Sequence, residues 1–261
     1  MKKLLYSFFT LYCFISCTET DTYFIREDMF AIPEACHVEA IFANVGRISI
    51  NEKYGTPEIN DVSESVEAEY FHISVLTFDS IIGWNGNSLA FNTGIGQGYI
   101  PFAGMYCEDS IPEVEQHIHN WADEQNGSSR SVWDVSWENC TRTSCYHFPY
   151  RLEGVTAFSI TANKRYNGIE AGGDLVDCFV ISQFWPRLVF CYEDYSVCYQ
   201  GLDTMTIANW LAMKPLASPC VLLRLTDRAM ESATDISFTV SMTLTNGKTL
   251  TSTTPVINIA R

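Results

Sequence analysis

The chain has 261 residues and a formal charge of −15, from 31 acidic and 16 basic side chains. A surface this acidic repels phosphate backbones, which sets nucleic acid aside as a partner. The length suffices for one large all-β domain or two small ones with a real core, and past the N-terminus no apolar run is long enough for a membrane-spanning helix.

The N-terminus reads Met1-Lys2-Lys3, then the apolar run Leu4–Ile15, then Ser16-Cys17. A charged start, a short apolar stretch and a small residue before the cut form the pattern of a secretory signal. The run is too short to cross a bilayer, which takes roughly 20 residues. A cysteine directly after the small residue predicts lipoprotein processing, with residues 1–16 removed as signal peptide and a lipid attached at Cys17. An ordinary signal peptide that contains cysteines is the alternative. Thr18, Glu19, Thr20 and Asp21 open a polar stretch that cannot bury apolar surface, so residues 17–33 are expected to be a tether and 34–261 a β-sandwich domain.

From Cys36 onward, short apolar runs alternate with turn residues. The predicted strands are Val38–Ile41, Arg47–Asn51, Glu69–Phe78, Val155–Ala162, Cys178–Phe184, Arg187–Tyr192, Val197–Gln200, Cys220–Leu225, Ile236–Thr245 and Lys248–Ile259. This pattern predicts an all-β fold, an antiparallel, immunoglobulin-like sandwich with one or two short helices. The stretch Trp84–Gly104 is rich in Gly and Asn and reads as a long loop. Behind it, Pro112 opens a helix over Glu113–Ala122, with Val114, Ile118 and Trp121 on one face. His117 and His119 stand two apart on this helix and cannot jointly grip one metal, although Glu113 with His117 and Glu115 with His119 share faces. Two ligands are too few for a structural zinc site.

The next segment is the most aromatic. Trp121, Trp133, Trp137, Tyr146 and Tyr150 crowd among polar neighbours. Flat rings stack on sugar faces, and in a strand Trp133 and Trp137 would share one side. Trp133, Trp137 and Tyr146 are therefore the candidate ligand-binding residues, while rings that fill a core are the competing explanation. Glu138, beside the two tryptophans, is the best placed acid for glycoside hydrolysis, but no motif marks it. No Gly-x-Ser-x-Gly elbow, His-Glu-x-x-His pair or Walker loop is present. Neither a catalytic residue nor a metal or cofactor is assigned.

Eight cysteines remain beyond the signal and Cys17: Cys36, Cys107, Cys140, Cys145, Cys178, Cys191, Cys198 and Cys220. An even number in an exported chain predicts a disulfide-stapled fold. A four-residue loop Glu193–Ser196 would set Cys191 opposite Cys198, close enough for a bond. Cys140 and Cys145 could close a small loop; with His147 they also resemble a metal cluster, which an oxidising compartment disfavours. A second helix is expected over Met205–Met213, stopped by Pro215. In the last hairpin, Asn246-Gly247 marks the turn. A three-residue loop with Gly247 left-handed sets Met242 opposite Leu250 and Ile236 opposite Val256, which puts apolar groups on one face.

Asp79-Ser80-Ile81, Asp109-Ser110-Ile111 and Asp203-Thr204-Met205 resemble the O-glycosylation site that Bacteroidetes use on exported proteins, with Ser80, Ser110 and Thr204 as acceptors. Together with the Cys17 signal, the acidic start Thr18–Asp21 and the stretch Ala157–Phe179, the chain resembles the uncharacterised outer-membrane lipoproteins of that group. The resemblance implies an outer-membrane location, lipid-anchored at the cell surface, and gives no residue a role. Three functions are carried forward. The first is a surface binding module for a glycan or protein ligand. The second is a structural or pilin-like subunit, or an accessory of a surface complex. The third is a hydrolase.

Overall fold

The computed structural model describes residues 30–50, 57–62, 64–78, 109–127, 145–201 and 203–261. In chain order its elements are β1 (Phe30–Cys36), β2 (Ala40–Ile50), β3 (Pro57–Asp61), β4 (Ser65–Glu67), β5 (Phe71–Phe78), α1 (Pro112–Gly127), β6 (Cys145–Arg151), β7 (Val155–Ala162), β8 (Phe179–Trp185) and β9 (Leu188–Phe190). They continue with β10 (Val197–Gln200), β11 (Met205–Thr206), α2 (Ile207–Ala212), β12 (Cys220–Leu225), β13 (Ala233–Ile236), β14 (Phe238–Leu244), β15 (Thr249–Thr253) and β16 (Ile257–Ala260).

Six strands form one antiparallel sheet in the order β11-β8-β12-β5-β2-β3. The opposing layer consists of two three-stranded sheets, β15-β14-β7 and β13-β16-β4. The pair β16-β4 is parallel. Two further pairs, β1-β6 and β10-β9, complete the described strands. The architecture is the expected all-β sandwich. Alternation sets the inner face of its second layer: Phe238, Val240, Met242 and Leu244 of β14 are buried, and Thr239, Ser241 and Thr243 point the other way. Strand β5 is buried along its whole length, as a central strand covered on both faces is. Its Phe71, Ile73 and Val75 join the main core, and Leu76 and Phe78 join a smaller cluster with Cys220 and Leu222. Trp210 of α2 sits edge-on to Phe158 of β7 at 5.7 Å and leans on Phe184 of β8 at 6.1 Å, so the short helix plugs the gap between the layers.

The chain divides into two compact units, Ile32–His119 with His147–Arg261, and Met1–Ala31 with Asn120–Tyr146. The first holds the sandwich. Of the second, the described parts are the first two residues of β1, the C-terminal part of α1 and the start of β6. β1 takes in Phe30–Pro33, which the sequence reading placed in the tether.

α1 carries Val114 and Ile118 on its buried side, as their spacing predicts, and Trp121 is half-buried. α2 begins later than expected, because Met205 and Thr206 pair with β8 as β11. Thr206 then caps the helix, its Oγ1 accepting from Asn209 N at 3.1 Å.

In the last hairpin Met242 lies opposite Leu250, Gly247 is left-handed at φ +82°, and its N–H donates to Leu244 O at 2.9 Å. The three-residue turn is thus the one expected. The register does not run on to Val256, however: Ile236 faces Ile257. Both strands break here, at Ser237 and at Thr254–Val256, and Val256 is left 54% exposed.

The predicted Cys191–Cys198 disulfide is absent. Val197 pairs with Phe190, so the connecting loop has six residues rather than four, and Cys198 falls in a bulge between Val197 and Tyr199. The two cysteines are not opposed, and Cys198 Sγ donates instead to Val189 O at 3.3 Å. Among the described residues Cys178, Cys191, Cys198 and Cys220 are free thiols, so no disulfide staples these parts of the sandwich. Cys140 lies outside the described residues, as does the side chain of Cys145.

Packing supplies the constraint instead. A Cβ on Gly154 would stand 2.3 Å from Tyr192 Cδ1 and 2.7 Å from Thr245 Cγ2, so only glycine fits where these chains cross. The C-terminal strand belongs to the same core, since Ile257 and Ile259 are buried. Ile257→Ala is expected to cost about 2–5 kcal/mol in urea denaturation. Val256→Ala, one residue away but exposed, is expected to stay within about 0.5 kcal/mol. Equal effects would show that β16 is not seated as described.

Candidate functional site

The predicted ligand residues Trp133 and Trp137 lie outside the described residues, as does Glu138. Tyr146 belongs to β6, but its side chain is also outside them. Both flanks of this aromatic stretch are defined, and they are tied together. Tyr150 of β6 is buried, and its hydroxyl sits between a group just ahead of α1 and one within it. It accepts from Ile111 N at 3.0 Å, the residue ahead of the helix, and donates to Glu115 Oε1 at 3.0 Å. One residue on, buried Arg151 donates from Nε to Thr77 Oγ1 and from Nη2 to Thr77 O, both at 2.7 Å. This fork fixes the end of β6 against β5. The sequence reading counted Tyr150 among the crowded aromatics and missed both roles. A lone tyrosine and arginine in an aromatic segment carry no signal for a clamp until the topology brings α1 beside β6.

The helix histidines have ordinary surroundings. Glu115, considered as a partner for His119, serves Tyr150. The His117 ring lies 6.4 Å from the Phe190 ring, and His119 is exposed. Among the described residues, no group of three or more His, Cys, Asp or Glu side chains is placed to hold a metal ion. Ser110 and Thr204 are exposed at the starts of α1 and β11, and Ser80 lies outside the described residues.

Cys178, Cys198 and Cys220 are poorly suited to nucleophilic chemistry. Burial pushes Cys220 up to about 12 and Cys198 up to about 11. Burial also raises Cys178, which accepts a hydrogen bond from Asn167 Nδ2 at 3.2 Å. A nucleophile needs the thiolate, so these sulfurs act as packing groups at neutral pH. The indole nitrogen of Trp210 is buried without a hydrogen-bond partner among the described residues.

Two polar arrangements were not legible in the sequence. In the first, His37, between β1 and β2, presents Nδ1 to Glu153 Oε1 at 2.7 Å and Nε2 to Asp109 Oδ2 at 3.3 Å. Glu153 accepts Val38 N on its other oxygen at 2.8 Å. In the second, His72 of β5 is buried and donates from Nδ1 to Tyr70 O at 3.0 Å. Burial, with a smaller contribution from Arg224, pushes its pKa down to about 4.

No family model, no curated protein and no solved structure matches this chain. The residues alone carry the functional argument.

Tyr150→Phe strips a partner from the buried Ile111 N–H and from Glu115. It is expected to cost about 1–3 kcal/mol in denaturant titrations, and a wild-type midpoint would contradict the clamp. His72 generates a pH dependence of definite sign. Below its ordinary value of about 6.5 the unfolded chain binds a proton that the folded chain refuses until about 4. This contribution is intact above pH 6.5, is lost as pH falls toward 4 and is level below that, a change of about 3 kcal/mol. Urea denaturation at several pH values should show this slope in the wild type, and His72→Gln should flatten that part of it.

Proposed function

We propose that the chain is an exported protein, lipid-anchored at Cys17 in the outer membrane and displayed on the cell surface. There it serves as a binding module for a glycan or protein ligand, with Trp133, Trp137 and Tyr146 as contact residues. The observation that carries this reading is the Tyr150 clamp. The aromatic stretch departs from α1 and returns through β6, and one buried hydroxyl joins residues ahead of and within α1 to β6. Binding residues are commonly carried on connecting segments that a rigid scaffold positions. The Met1–Cys17 pattern supports export and anchoring. The acidity of the chain favours a neutral or basic ligand over a phosphate-bearing one.

The structural or pilin-like reading is the alternative. Its simplest test, removal of Thr254–Arg261 to block assembly, takes Ile257 and Ile259 out of the core, so a deletion would unfold the chain whichever reading holds. A binding assay separates the two readings. Thr18–Arg261, made under oxidising conditions, is titrated against a panel of glycans by calorimetry. Saturable binding to one class is expected, with Trp133→Ala and Trp137→Ala each weakening it by about thirtyfold or more, as loss of an aromatic anchor worth about 2 kcal/mol or more would. Their denaturation midpoints should stay near wild type. A folded sample that binds nothing would favour the structural subunit.

A further inference from the structure

We propose that two copies of this chain exchange β16, each seating the strand between β4 and β13 of the other. In one copy β16 fills a groove between those two strands. Ile257 lies opposite Ile236, and Ile259 lies opposite Ala233 on one side and Val66 on the other. Both isoleucines are buried. Asn258 N donates to Glu64 O at 3.0 Å, Asn258 Oδ1 accepts from Asp235 N at 2.9 Å, and Arg261 N donates to Ser232 Oγ at 3.1 Å. These partners belong to β4, to β13 or to the residues beside them, and none to β14 or β15. The same strand from a second copy would satisfy the same atoms and fill the same core.

The joint ahead of β16 is built to open. Thr254 is the last anchored residue: it is buried, its N donates to Phe238 O at 2.8 Å, and its Oγ1 accepts from Phe238 N at 3.0 Å. Only Pro255 and Val256, both exposed, separate it from Ile257. Pro255 has no N–H, and Val256 N donates no backbone hydrogen bond among the described residues. Straightening these two residues therefore disturbs little more than the contact from Thr254 Oγ1 to Pro255 O at 3.1 Å. A proline fixes its own φ and holds the residue before it extended, which biases the joint toward the straight path that carries β15 on into a neighbour.

The groove also assembles from distant parts of the chain. β4 lies far upstream and pairs with β16 in parallel, a pairing that no tight turn can provide. Until β16 arrives, the strand of either copy fits. The short joint gives a chain's own β16 a high effective concentration, so exchange rises with protein concentration. Val256, 54% exposed and the most exposed large apolar side chain among the described residues, marks where the two straightened joints cross and is covered there.

The detergent-solubilised full chain is followed by sedimentation velocity from submicromolar to hundreds of micromolar. A monomer is expected at the low end and a dimer at the high end. Glu67 and Ala260 are exposed and opposite each other in the β16–β4 ladder. Glu67→Cys in one preparation and Ala260→Cys in another are refolded together at high concentration and treated with a short bismaleimide. Peptide mass spectrometry should find the two introduced thiols joined, which requires β16 of one chain beside β4 of the other. Val256→Asp stays in solvent in the monomer and is expected to raise the dimer dissociation constant by about tenfold or more, as covering a carboxylate at the crossing would. A chain that is monomeric at every concentration, a dimer without that link, or a Val256→Asp dimer as tight as the wild type would overturn the exchange.

Discussion

The two layers of this sandwich meet at Phe238. Its ring lies 5.5 Å from Phe71 of the large sheet, 5.6 Å from Phe179 of the same sheet, and 5.7 Å from Tyr166. The pairs with Phe179 and Tyr166 are edge-on and the pair with Phe71 is tilted, and edge-on rings at this spacing add to plain area burial. Phe238 also occupies the point where the second layer bends. Its N–H donates to Thr254 Oγ1 at 3.0 Å, and its carbonyl accepts from Thr254 N at 2.8 Å. Next to it, Asn163 replaces the missing strand partner of Ser237: its Oδ1 accepts from Ser237 N at 2.9 Å, and its N–H donates to Ser237 O at 3.1 Å. The backbone stays satisfied through the bend. One long hairpin can therefore serve two sheets, β14-β15 in one and β13-β16 in the other.

The same economy governs the sheet edges. Strand β2 runs past the reach of β3, and there Ala43 N donates to Ser252 Oγ of β15 at 2.9 Å. The outer edge of β7 is covered by the segment after Gly168: Gly172 N donates to Ala162 O at 2.9 Å and Leu175 N to Ile160 O at 2.7 Å. That segment is launched by a turn with Asn167 at φ +48° and Gly168 at φ +77°, both left-handed, which pairs Tyr166 with Ile169 in both directions. The turn lets the Tyr166 ring reach Phe238 while its hydroxyl donates to Ala229 O at 2.8 Å. Covered edges protect a β-rich chain from pairing with its neighbours.

Where alternation was clean, the sequence was legible. The β14–β15 register followed from asking which turn puts Met242 across from Leu250, since a one-residue slip would send every apolar group to solvent. That logic holds only while the ladder is continuous. It failed at Val256, where a break at Pro255 resets the pairing, and at Cys191 and Cys198, where a bulge displaces one partner. Strands β3 and β4 went unread because they are short, β1 because its first half lies in the stretch taken for a tether, and β6 because it is rich in rings that suggested a site. The candidate site was legible as composition, in Trp133, Trp137 and Tyr146, and its support was not. The Tyr150 clamp and the His37 contacts join residues far apart in the chain, and no spacing rule reaches that far.

The two histidines off the helix show how environment, rather than residue type, assigns a role. His72 stands in the ladder opposite Arg224 and has one backbone carbonyl to bond, so burial keeps it neutral. His37 is 40% exposed, with Nδ1 on Glu153 and Nε2 facing Asp109. Acidification thus weakens the sandwich through His72, whose burial opposes the proton that the unfolded chain accepts. A global unfolding curve registers the buried group, because its desolvation is undone only when the core opens. The tie between α1 and β6 is read instead at Ile111, whose amide is hydrogen-bonded to the same tyrosine that holds Glu115.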